Sequence, residues 1–145
     1  MTLPAANHDI PLIAWGSEIV RELEEEQMWD EIIELAEQEF FSFMKDLRRM
    51  KDANPETWRA WPPWKVVSSV RGLCQSLGFE RLNCYSRAVK QLRENIRRED
   101  LEPIIETMEA MFAITVRRAK AGSFTTRVAA RNLEEHRRPE GRTSA

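Results

Sequence analysis

The hydrophobic positions of the chain recur at three- and four-residue spacing over long stretches, the period of α-helices with one apolar face. From Trp29 to Lys51 the stripe is Ile32, Ala36, Phe40, Phe43, Leu47 and Met50, flanked by Ile33 and Met44, and it predicts a long helix. Three phenylalanines on or near that stripe, Phe40, Phe41 and Phe43, are expected to fill a core. Ahead of it, Ser17 can cap a helix carrying Ile19, Val20 and Leu23 through a glutamate-rich run. Residues 1–16 begin irregularly, with Pro4 and Pro11, yet Ile10, Leu12, Ile13 and Trp15 are apolar enough to dock.

Asp52-Ala53-Asn54-Pro55 stops the long helix, and Asn54 can cap a short turn with Pro55 at its first position. Pro62-Pro63 forbids a continuous helix through Trp61, while Pro63 is placed to start one that runs to Leu77 and stops at Gly78. The next predicted helix spans about Glu80 to Arg98, with Leu82, Tyr85, Val89, Leu92 and Ile96 as its buried stripe. Asp100 is expected to cap a last long helix carrying Leu101, Ile104, Ile105, Met108, Met111, Phe112 and Thr115. Gly122 breaks that pattern. A short polar helix is expected over residues 123–137, and disorder from Pro139 onward.

Four long amphipathic segments with short connections predict an all-α fold, an antiparallel (up-down) four-helix bundle with an additional N-terminal helix. The expected organisation is an N-terminal arm over 1–16, a bundle over 17–121 and a basic C-terminal tail over 122–145, partly helical or disordered. Composition agrees. Gly and Pro together make 12 of 145 residues, about 8% against a usual ~12%, which leaves few turns for a β-sandwich or barrel.

The net charge of −2 conceals an uneven layout. Glu18 to Glu39 holds ten acidic residues and one basic one, Arg21. From Arg117 onward arginine dominates, with Arg127, Arg131, Arg137, Arg138 and Arg142 among the basic positions. Solvated helix faces and a soluble tail account for most of this, and the Glu-interrupted tail argues against a nucleic-acid partner. Cys74 and Cys84 make neither a disulfide framework nor a zinc site. No apolar stretch approaches membrane-spanning length, so a cytoplasmic protein without membrane contact is expected. No glycine-rich phosphate loop, metal-ligand spacing or nucleophile–base pair is present, and no cofactor or metal is expected.

The segment from Pro63 to Leu77 carries more than a core stripe. Val66, Val70, Leu73 and Leu77 gather within about 60° of arc. The opposite face carries Trp64, Ser68, Arg71, Gly72 and Gln75. Gly72 thus sits in a helix interior on the side expected to face water, at a cost of about 1 kcal/mol relative to Ala. An exposed Trp64 beside a small-residue notch has the form of a docking surface.

Ser68-Ser69-Val70-Arg71-Gly72-Leu73-Cys74-Gln75-Ser76-Leu77-Gly78 resembles the signature of the histidine-containing phosphotransfer (HPt) family, His-x-x-Lys-Gly followed by five residues and Gly. Gly72 falls on the first glycine of that motif, Gly78 on the second, and Arg71 on the lysine. The likeness extends over about residues 29 to 120. It implies a bundle whose exposed α-helical face docks on a receiver domain of a two-component system.

The position of the family's phosphorylated histidine is Ser68, and the two histidines, His8 and His136, lie in terminal segments. A serine hydroxyl without a neighbouring base is a poor nucleophile, and its phosphate ester is too stable for a reversible relay. The expectation is therefore a pseudo-HPt signalling protein that is not an enzyme and, as a monomer, binds the receiver domain of a response regulator or hybrid histidine kinase and modulates it without carrying phosphate. Trp64, Ser68, Arg71, Gly72 and Gln75 would form its partner-binding face. The alternative is a helical scaffold or oligomerisation module unrelated to phosphorelay. A phosphate placed on Ser68 by a serine kinase would sit beside Arg71.

Overall fold

The punctuation of the sequence becomes the punctuation of the helices in a computed structural model that describes residues 3–25 and 28–122. Six α-helices form among the described residues: α1 (Glu18–Glu25), α2 (Trp29–Met50), α3 (Pro55–Ala60), α4 (Pro63–Leu77), α5 (Glu80–Lys90) and α6 (Arg98–Ala121). A single 3-10 turn, Arg93–Asn95, lies between α5 and α6, and the described residues contain no β-strand. The expected tail, with its polar helix and disordered end, lies outside the described residues.

Local chemistry sets most boundaries. The Asn54 side chain accepts a hydrogen bond from the Thr57 N–H at 2.8 Å, with Pro55 opening α3. Ser17 Oγ accepts from the Val20 N–H at 3.4 Å at the start of α1. Pro63 opens α4, and Gly78 closes it in the left-handed region at φ +70°.

Helices α2, α4, α5 and α6 make a closed ring of contacts, α2 and α5 each packing on both α4 and α6, while α1 leans on α4. Inside that ring the Phe40 and Phe112 rings stack at 3.9 Å, and Phe79 meets Phe112 edge-on at 6.0 Å. Such aromatic pairs add about 0.5–1.5 kcal/mol each beyond the area they bury. At the far end of α6, the buried Trp29 indole N–H donates to the Ala119 carbonyl at 2.9 Å. That bond ties the first residue of α2 to the last turn of α6.

Four expectations need correcting. The stripe of α2 is centred on Trp29, Ile33, Ala36, Phe40, Met44, Leu47 and Met50, with Ile32 and Phe43 on its half-buried edge. Phe41 is 65% exposed and fills no core. The helix expected to reach Arg98 ends at Lys90, where the backbone leaves through Arg93 at φ +46°. Finally, Asp100 is the third residue of α6 and not its cap. Its carboxylate accepts from the Arg97 N–H at 2.9 Å, and its own N–H donates to the Arg97 carbonyl at 3.0 Å. This reciprocal box, with Ile96 and Leu101 buried at the staple positions, starts a new helix without any glycine or proline to announce it.

The arm docks as expected. Ile13 is buried, and Arg81 on α5 donates to the carbonyls of Ile10 at 2.7 Å and His8 at 3.1 Å. The Ala14 N–H donates to the Gly78 carbonyl at 2.8 Å. A methyl group at Gly78 would collide with Val20 Cγ2 and touch the Ser17 hydroxyl at 3.5 Å. Gly78→Ala is therefore expected to destabilise the protein by about 2–4 kcal/mol, combining left-handed strain of about 1–2 kcal/mol with overpacking of about 1–3 kcal/mol. Urea denaturation measures it; a loss below about 0.5 kcal/mol would show that α1 yields freely around the turn.

Candidate docking surface on helix α4

Because the core stripe of α4 is formed by Val66, Val67, Val70, Cys74 and Leu77, its remaining positions are free to face outward. Gly72 and Gln75 are exposed, and Ser68 and Arg71 are half-buried. Trp64, expected to be exposed, is half-buried against the core. A Cβ added at Gly72 would have no heavy atom within 4 Å beyond its own helix. No packing contact requires a glycine there.

Gly72 borders a groove of about 420 Å³ between α2 and α4. Its apolar wall is Ile32, Leu35 and Phe43 on α2 and Leu73 on α4. Leu35 is 60% exposed, and the hydroxyl-bearing Ser69 and Ser76 flank Gly72 along the groove edge. Ser76 Oγ donates to the Gly72 carbonyl at 3.0 Å, so the helix backbone at the glycine is partly satisfied by its own neighbour. The groove is thus an apolar strip with the exposed Gly72 beside it.

The expected site residues do not all converge. Gly72 opens onto the α2–α4 groove, whereas Trp64 lines a separate cavity with α3 and the turn after α5. Buried Nε1 of Trp64 and Nε of Arg71 have no hydrogen-bond partner, each such orphan costing about 1–3 kcal/mol. The α2 side of the groove was missed in sequence. Its signal is Leu35, a large apolar residue off the expected α2 stripe, between Glu34 and Ala36.

Acid–base and nucleophilic chemistry is sparse on this surface. His8 sits on the arm, where its carbonyl is held by Arg81 on α5, and His136 lies outside the described residues. The Cys74 thiol is buried in the α4 core stripe, and burial pushes it up to about 12, which leaves it protonated and inert near neutral pH. Cys84 is half-buried on α5. Among the described residues no three His, Cys, Asp or Glu side chains gather to hold a metal ion, and no helix is long and apolar enough to cross a membrane.

Comparison of the chain with protein-family models, with curated proteins and with solved structures finds no match.

Gly72→Ala separates a structural glycine from a functional one. With open space at the Cβ, the variant gains helix propensity and is expected to be more stable by about 0.5–1 kcal/mol. In a domain of this size that raises the melting temperature by about 1–4 °C. A fall in melting temperature would mean that Gly72 makes a contact on which the helix relies.

Proposed function

We propose that the chain is a non-catalytic pseudo-phosphotransfer signalling protein, an HPt-like protein that binds a response-regulator receiver domain in a two-component phosphorelay and modulates it without carrying phosphate. The observation that supports this reading most is the open glycine in the middle of α4, beside an apolar groove. A mid-helix glycine with no packing role costs stability, and close approach of another protein to the helix backbone offsets that cost.

The ring of contacts among α2, α4, α5 and α6 fits an up-down four-helix bundle, the arrangement the family likeness implies. Ser68 lies one turn before Gly72, where the family carries its histidine. The side chains at helical distance from it, Trp64, Lys65 and Arg71, include no base to activate its hydroxyl. The protein then occupies a receiver without accepting its phosphoryl group, acting in the cytoplasm as a monomer. It competes with genuine phosphotransfer partners.

A second reading, a helical scaffold, draws on Phe41. This ring is exposed between α2 and α6 beside Glu37 and Glu109, on a different face from Gly72. An assembly contact there would leave the Gly72 groove unused.

The two readings separate in one titration with a phosphorylatable receiver. Gly72→Gln is expected to keep or raise the melting temperature and to bind the receiver at least ~10-fold more weakly, a loss of about 1.4 kcal/mol. Incubation with the phosphorylated receiver should leave no acid-labile label on the chain. Unchanged binding by a stable variant favours the scaffold, and a phosphohistidine at His8 or His136 contradicts the pseudo-phosphotransfer reading.

A further inference from the structure

Helix α6 ends at Ala121, and the Trp29–Ala119 hydrogen bond sets that end level with the first turn of α2. Two adjoining hollows of about 710 and 340 Å³, sharing Glu37 and Phe41, run from there along the outer seam between α2 and α6. On α2 the seam is edged by Asp30, Glu34, Glu37 and Phe41, whose four- and three-residue spacing puts them on one face. Glu109, Ala113, Val116 and Lys120 edge it on α6 at the same spacing.

The seam is both apolar and acidic. The exposed Phe41 ring lies along it, and four carboxylates, Asp30, Glu34, Glu37 and Glu109, stand there against one cation, Lys120. Glu37 pairs with Lys120 at 3.0 Å and Glu109 with Arg48 at 2.6 Å. Asp30 and Glu34 are exposed, stand one turn apart and belong to no ion pair among the described residues. Like charges at that spacing repel, so the face favours a cation laid across it.

The chain itself supplies a complement where the seam begins. No acidic residue occurs between Glu109 and Glu134, and residues 123–133 carry Phe124, Arg127, Val128, Arg131 and Leu133. Trp15 closes the side of α6 on which Gly122 lies, since a Cβ added there would meet its ring at 2.7 Å. Gly122 is about 200° round the helix from Lys120, which leaves the seam on the other side. We infer that residues 123–133 turn back after Gly122 and dock along the α2–α6 seam of their own chain. Wound as the expected helix, that segment is about 16 Å long, the same length as α2 from Asp30 to Phe41. Started level with Asp30, it brings Arg127 opposite Glu34 and Leu133 beside Phe41. Docked there, it covers the face that an assembly through Phe41 would use. The Gly72 groove stays open, because the two surfaces share no lining residue.

The test uses the full chain, isotope-labelled, and reads nuclear Overhauser contacts between the Phe41 ring and the Leu133 methyl groups. The contact is expected within one molecule, and mixing labelled with unlabelled chain separates it from a contact between copies. Arg127→Glu is expected to weaken it at least ~2-fold, and Glu34→Arg added to that variant to restore it. Glu34 is exposed on α2, so the helical circular dichroism stays unchanged. No contact between Phe41 and Leu133, a contact formed only between copies, or one indifferent to both charge reversals would each overturn the inference.

Discussion

The left-handed turn at Gly78 is the constraint on which the rest of the fold depends. It ends α4, and the Phe79 N–H reaches back to the Cys74 carbonyl at 3.0 Å, which sends the chain directly into α5. The same residue presents its carbonyl to Ala14 and leaves room for Val20. One position without a side chain thus sets the α4–α5 connection, anchors the arm and seats α1. Phe79, which follows it, is fully buried and reaches Phe112 on α6. Any side chain at 78 would disturb both ends of that chain of contacts at once.

The two glycines on which the proposed HPt likeness rests therefore have opposite physical explanations. Gly78 is required by backbone conformation and by close packing. Gly72 is required by neither, since its φ is ordinary and its surroundings are open. A Cβ there would meet nothing beyond its own helix, so the glycine lowers helix propensity without a packing return. The docking proposal rests on this contrast, and the exposed Leu35 across the groove gives a partner an apolar strip to cover.

Much of the fold was legible where backbone chemistry speaks locally. Pro63 and Gly78 bound α4 as expected, and Asn54-Pro55 opens α3. What failed depended on neighbours. Ile32 and Ile33 are consecutive in sequence and about 100° apart on the helix wheel, and only the packing of α4 and α6 decides that Ile33 lies central and Ile32 at the edge. The end of α5 at Lys90 had no glycine or proline to mark it, because the competing signal is the Arg97–Asp100 box downstream. On the candidate surface, helical spacing picked out Gly72 but not Ser69, Leu73 and Ser76, which line the groove with it, while Ser68, Arg71 and Gln75 are not among the groove-lining residues. The α2 half of the groove was not legible, and neither was the turning of Trp64 toward α3 and the Arg93 turn. Those placements are tertiary.

The most direct test of the docking account is a map of the contact surface by NMR, with a receiver domain added to the isotope-labelled chain. The account predicts that backbone signals of Ser69, Gly72 and Ser76 on α4 and of Leu35 on α2 shift or broaden together, while those around Phe41 and Ala113 stay in place. Perturbations centred on the α2–α6 face, or none at all at saturating receiver, would contradict it.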